Sequence, residues 1–285
     1  MNLHCLDRLQ ARLRARLRPA ALCVALLAVA PWGWAQGLVF AVNEGVTYRV
    51  SDDEIRARYA GIATDLAKLL GQPVRVEPIA QYPVLRKGLA DKAYDLALVH
   101  PAHISIVAMK GSGYQLVAVT KGFQDYKASF LVRADSPLKQ LADLRGRKLG
   151  APDEDSITAW MVRATMRDVL GDPKAVAMTY TRYQDAVPFM VQQTFTQAAA
   201  TASNAVVKKW EADGGKVLGR SKAVPIKHVL AGPGINAAQL EKLRAYFIAL
   251  DSTEDGRKKL EAIKVPGYAP FDTNELLALG TWLGL

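Results

Sequence analysis

Short apolar runs alternate with amphipathic helical stretches along this chain, and the alternation restarts once; no other feature narrows the fold as far. Leu38-Val39-Phe40-Ala41-Val42 has the length and composition of a buried strand. Asp52 to Leu70 follows with Ile55, Tyr59, Ile62, Leu66 and Leu69 at helical spacing, and Gly71 supplies the stop. A strand at Val74 to Ile79, a short helix from Tyr82 to Ala90, a strand at Asp95 to Val99, a helix from His103 to Lys110 and a strand at Tyr114 to Thr120 complete a first pass. The second pass has strands at Ala128 to Val132 and Lys148 to Ala151, a helix opening at Asp155-Ser156-Ile157-Thr158 and running to Leu170, and a helix from Asp185 to Thr194. A small-residue strand at Ala198 to Thr201, a helix from Asn204 to Asp213 and late strands at Val217-Leu218 and His228 to Ala231 follow, and from Asn236 the chain is mostly helical. This order predicts an α/β fold with a largely parallel sheet. Two such passes without a long linker predict two lobes with a cleft between them.

The segment before the first strand reads as a cleaved secretory leader, residues 1–35. Arg8, Arg12, Arg14, Arg16 and Arg18 precede an apolar run from Ala20 to Val29 that is short for a membrane span, and Gly33-Trp34-Ala35 offers small residues for cleavage before Gln36. An amphipathic helix does not account for it, because the run is apolar on every face. Leu22 before Cys23 is too bulky for a lipoprotein motif. Both cysteines, Cys5 and Cys23, fall in the leader, so the exported chain is expected to hold neither disulfide nor thiolate metal site and must rely on burial.

The 37 basic and 27 acidic residues of the whole chain include five arginines and one aspartate of the leader, which leaves the exported part at about +6. The basic residues are scattered, without the dense or aromatic-interleaved runs of a nucleic-acid binder. Nucleic acid is therefore not an expected partner; weak attraction of small anions is.

In open α/β sheets a ligand sits beyond the carboxyl ends of the strands. Those ends carry the chain's most polar positions: Asn43-Glu44, Gln81-Tyr82, His100, Asp155-Ser156 and Tyr183-Gln184.

Three segments, Ala93 to Pro101, Tyr126 to Pro137 and Leu141 to Lys148, resemble the phosphate, phosphite and phosphonate group of periplasmic substrate-binding proteins. The resemblance extends over nearly all of the chain after the leader. It implies a two-lobed type II periplasmic binding protein fold with a hinge, crossings near Gly122 to Tyr126 and Arg220 to Pro225, lobe 1 at 36–124 with 223–285, and lobe 2 at 125–222. Its implied partners are a small anionic ligand and an ABC permease in the inner membrane, with no cofactor and a monomeric, periplasmic protein.

Asp155-Ser156-Ile157-Thr158 resembles the family's hydroxyl cluster at a lobe 2 helix start. Free amides and the helix dipole collect an oxyanion there, and Ser156 and Thr158 add donors; ordinary capping by Asp155 or Ser156 explains the same residues equally well. Asp153, Glu154 and Asp155 repel an anion unless they point away or pair with an amine on the ligand. Asn43, Glu44, Tyr48, Tyr82, His100 and Tyr183 complete the candidate ligand-binding set. For the tyrosines, packing on the rim is the plain alternative. Tyr183 stands where many relatives carry histidine, and His100 replaces the glycine usual before Pro101. His100 and His103 are three apart, but no acidic or cysteine motif joins them, so no metal site is expected.

No nucleophile elbow, Walker loop or dinucleotide fingerprint occurs in the sequence, which favours binding over catalysis. The leading expectation is a solute-binding protein of an ABC importer for a phosphate- or phosphonate-like oxyanion. The alternatives are a periplasmic sensor docking on a membrane receptor or kinase, a binder of a non-phosphorus ligand, and an enzyme.

Overall fold

The computed structural model describes residues 37–45 and 50–285. The expected leader and Tyr48 lie outside the described residues.

The first pass forms β1 (Leu38–Val42), α1 (Asp52–Leu70), β2 (Val74–Pro78), α2 (Tyr82–Ala90), β3 (Leu96–Val99), α3 (Ala102–Gly111) and β4 (Gln115–Thr120). Local chemistry fixes the longest helix at both ends. The Ser51 hydroxyl caps α1 by accepting from the Glu54 amide, Asp52, Asp53 and Glu54 face the positive end of its dipole, and Gly71 closes it at φ 70°. Its buried stripe is Ile55, Tyr59, Ile62, Ala63, Leu66 and Leu70, the expected face with Ala63 added and Leu70 buried in place of Leu69.

The second pass forms β5 (Ser129–Val132), β6 (Lys148–Ala151), α4 (Ile157–Leu170), β7 (Ala177–Tyr180), α5 (Val187–Gln192), β8 (Ala198–Thr201), α6 (Asn204–Ala212) and β9 (Lys216–Arg220). The chain then returns as β10 (His228–Ala231), followed by α7 (Ala237–Ala249), α8 (Glu254–Ala262), β11 (Tyr268–Ala269) and α9 (Thr273–Leu283).

Two sheets result, in the orders β11-β4-β10-β3-β1-β2 and β7-β6-β8-β5-β9. They are mixed rather than largely parallel. β1 pairs in parallel with β2 and β3, but β10 runs antiparallel between β3 and β4. In the second sheet β6 is parallel to β7 and β8, while β5 is antiparallel to β8 and β9. The reason is topological: each crossing between the sheets delivers one strand, β5 outward and β10 back, and each enters against the direction of its hosts. The crossings themselves run antiparallel, joined by the bridge between Tyr126 and Val224.

Two strands escaped the sequence reading. β7 alternates exposed and half-buried residues at the edge of its sheet, and β11 is two residues long. The expected helix from Asp185 to Thr194 is a 3₁₀ turn, Gln184–Ala186, leading into the short α5.

One apolar cluster runs through both halves, from Ile104 and Ile106 of α3 to Met161, Val162 and Met166 of α4, with Leu276 and Leu283 of α9 among its members. Among the described residues no helix is long and apolar enough to cross a membrane.

Candidate functional site

The carboxyl ends of β1, β2 and β3 in the first sheet and of β6 and β7 in the second carry the polar positions singled out in the sequence. At the end of β1, Asn43 is fully buried; its amide nitrogen donates to the Ile79 carbonyl (2.7 Å), while its side-chain oxygen has no hydrogen-bond partner among the described residues. Glu44 is committed within the first half. Arg58 donates to both of its oxygens at 2.9 Å, and the Tyr59 hydroxyl donates to one of them at 3.0 Å. Burial, with Tyr268 and Glu44 nearby, holds the Tyr59 phenol well above its ordinary pKa, so it remains a donor.

His100 follows β3 and precedes a cis Pro101. Its Nδ1 donates to the Ile226 carbonyl on the return crossing (3.1 Å), which leaves Nε2 as an acceptor. Burial is the main reason that its pKa falls to about 4, so the ring is neutral near pH 7. Gly45 lies against this ring at φ 109°, and a Cβ there would stand 3.0 Å from His100 Cδ2. Glycine answers both demands.

The second half contributes the start of α4. Ser156 is its N-cap, accepting from the Ala159 amide at 3.1 Å, so the capping role is real. Asp153 Oδ1 accepts from the Asp155 amide (2.9 Å), which turns that carboxylate back on its own loop. Asp155 reaches the other half: Arg86 of α2 donates to its Oδ2 at 2.5 Å, and His103 Nε2 lies 3.5 Å from its Oδ1. Of the three adjacent acids, the one beside the helix start is thus neutralised by an arginine of α2. Arg86 also donates to His103 Nε2 (3.2 Å), which places the ring proton on Nδ1, a buried atom without a partner among the described residues. His103 stacks on Trp160 at 5.8 Å and 28°, and Arg163 covers the same indole at 4.6 Å. Burial outweighs the pull of Asp155 and lowers the His103 pKa to about 4.

Thr158 is fully buried and sits in a network. Gln184 Nε2 donates to its hydroxyl at 2.8 Å and to the Tyr126 hydroxyl at 3.3 Å, while Gln184 Oε1 accepts from Thr201 Oγ1 (2.7 Å) and the Ala202 amide (2.9 Å). The start of α4, the end of β8 and the first crossing are thereby locked to one glutamine. Tyr183 is 52% exposed, with Arg182 over its ring at 5.2 Å. Tyr82 is half buried at the first position of α2.

Arg86, Tyr126, Gln184 and Lys227 belong to this region and were not singled out in the sequence as ligand contacts. Gln184 carried a signal, as a polar residue at a strand end; Arg86 and Lys227 carried none, because an isolated cation on a helix or crossing looks like any solvated one. Among the described residues, no group of three or more His, Cys, Asp or Glu is arranged to hold a metal ion.

The fold is similar to that of XAC2383 from Xanthomonas citri bound to ATP, at 15% identity over 87% of this chain and 96% of that one, with a TM-score of 0.66. It is similar also to PhnD1 from Prochlorococcus marinus in complex with methylphosphonate (13% identity, 86% and 96% covered, TM-score 0.60) and to the periplasmic aliphatic sulphonate binding protein SsuA from Escherichia coli (17% identity, 86% and 84% covered, TM-score 0.53). Comparison with curated proteins gave no match. These likenesses establish the two-lobed α/β fold of the type II periplasmic binding proteins. A model of one family matches residues 45–276, most of the chain. The chain belongs to the phosphonate periplasmic substrate-binding protein family of ABC transporters.

Proposed function

We propose that this protein captures a small phosphate- or phosphonate-like oxyanion between its two lobes and presents it to an ABC permease, without chemical turnover. In this reading lobe 1 is 36–124 with 223–285, lobe 2 is 125–222, and the exported protein, cleaved near Ala35, works as a monomer in the periplasm.

The observation that carries the reading is the neutralisation of Asp155 by Arg86 at the start of α4. A helix start flanked by free carboxylates repels an anion; here the adjacent carboxylate has an arginine, and the amides and dipole of a 14-residue helix remain as the electropositive feature. Ser156, Thr158, His100, Asn43, Tyr82 and Tyr183 are the further ligand contacts of this proposal, with Tyr48 from the segment outside the described residues. Glu44, held by Arg58 and Tyr59, shapes the end of β1 in this reading and does not meet the solute.

The test is a thermal-shift screen of the purified protein against phosphate, phosphite, methylphosphonate, alkylsulfonates and neutral solutes. An anion present at about a hundredfold its Kd stabilises by roughly 2.7 kcal/mol. Ser156→Ala with Thr158→Ala removes that shift from a protein that still melts cooperatively without ligand; Ser156→Ala alone serves if the pair does not fold. A shift from neutral or cationic compounds alone overturns the anion reading, and an unchanged shift in the variants removes the start of α4 from the site.

A further inference from the structure

The return crossing ends on Lys227, which among the described residues has no carboxylate within salt-bridge distance. Lys227 is the residue before β10, whose first residue, His228, is in register with Val99 of β3 and Val119 of β4. Its own carbonyl accepts from the Thr120 amide at 3.0 Å, and the carbonyl of neighbouring Ile226 accepts from His100. Lys227 is therefore fixed at the carboxyl edge of the first sheet, beside His100 and the end of β1.

Its side chain is half buried, and Nζ lies 4.1 Å from the centroid of the Phe123 ring on the outward crossing. The charged groups that it feels are Glu44 and Arg58. Glu44 is already spent on Arg58 and Tyr59, and among the described residues no carboxylate lies within salt-bridge distance of Lys227. Other basic residues in comparable settings have an acid: Arg58 has Glu44, Arg86 has Asp155, Lys121 has Asp251 and Lys259 has Asp65. Desolvation is the main reason that the Lys227 pKa lies below the usual lysine value. Partial burial of an unpaired charge costs stability, and an aromatic face returns only part of it.

We propose that Lys227, held over Phe123 at the carboxyl edge of the first sheet, is the counter-charge for the solute's anionic group. This inference rests on the oxyanion reading above and adds to it a recognition residue from the opposite lobe to α4. A role in packing alone, with the lysine stem covering Phe123, makes a different prediction.

The experiment compares wild type, Lys227→Met and Lys227→Arg by thermal melting and calorimetric titration with methylphosphonate, inorganic phosphate and methanesulfonate. Methionine keeps an apolar stem and removes the charge; arginine keeps the charge and its contact with the ring. Lys227→Met is expected to melt higher than wild type without ligand and to bind whichever of these anions stabilises wild type at least tenfold more weakly, with Lys227→Arg staying close to wild type in both. If wild type binds and Lys227→Met binds equally well, the role of Lys227 is overturned while the oxyanion reading stands. If wild type binds none of the three anions, the oxyanion reading falls and this inference with it. If Lys227→Met is less stable than wild type without ligand, the lysine serves packing and the inference is overturned.

Discussion

At the scale of single residues, two kinds of polar contact meet at the start of α4, and magnitudes separate them. Arg86 and Asp155 have side chains 38% and 46% exposed, so their ion pair contributes at most about 1 kcal/mol to stability; its importance is electrostatic, in removing a carboxylate from an anion's path. Thr158 is different, being buried and bonded to Gln184. Thr158→Val leaves Gln184 Nε2 with the longer bond to Tyr126 as its remaining contact, and should cost about 1–3 kcal/mol in urea unfolding, whereas Thr158→Ser should recover most of the loss. A valine variant as stable as wild type would remove the network from the account. The sequence made Ser156 and Thr158 visible as hydroxyls at a helix start. It did not separate the cap from the buried network, because capping depends on neighbours in sequence and the network on Tyr126, Gln184 and Thr201, which come together only in the fold.

At the scale of elements, α9 has a role that its sequence conceals. It packs against α3, which follows a strand of the first sheet, and against α4, which follows a strand of the second. Trp282 Nε1 donates to Asp168 Oδ2 at 2.8 Å, Arg167 donates to the Trp282 carbonyl, and Lys110 donates to the Leu285 carbonyl at 2.8 Å. The close approach to α3 needs Gly280: a Cβ there would lie 2.4 Å from Ile106 Cγ2. Gly280→Val should therefore destabilise by about 1–3 kcal/mol, read as a lower urea midpoint with an unchanged m value. An unchanged midpoint would show that the two helices part without cost. The expectation of a mostly helical chain from Asn236 holds in α7, α8 and α9, but it set no bounds for them and no placement, since each has an apolar side that any of several surfaces satisfies. The same limit hid β7, half exposed at an edge and without the apolar run that marks a central strand.

At the scale of the molecule, burial of three histidines ties stability to pH. His100, His103 and His228 each have a pKa lowered from 6.5 to about 4, chiefly by desolvation. Between those values the unfolded chain holds more protons than the folded one, so stability falls as pH drops from about 6.5 towards 4 and is unaffected by these groups above about 7.5. Urea midpoints taken across that range should decline, and His228→Gln should make the decline shallower; equal midpoints at pH 7 and 5 would contradict the burial of these rings. The whole-molecule architecture was legible early, because strand and helix periodicities are local and a restarted α/β pattern has few compact solutions. Sheet polarity was not, because the two crossings decide it by inserting β5 and β10 against their neighbours. The sequence by itself therefore determined most of the elements, their order and the gathering of polar residues at strand ends, since these depend on spacing along the chain; the edge strand β7 and the two-residue β11 lay beyond it. Only the tertiary structure decided which charges are cancelled. Glu44 meets Arg58 and Asp155 meets Arg86, while among the described residues Lys227 has an aromatic ring and no carboxylate in reach, because Coulomb partners are chosen by distance in space and by shared loss of water.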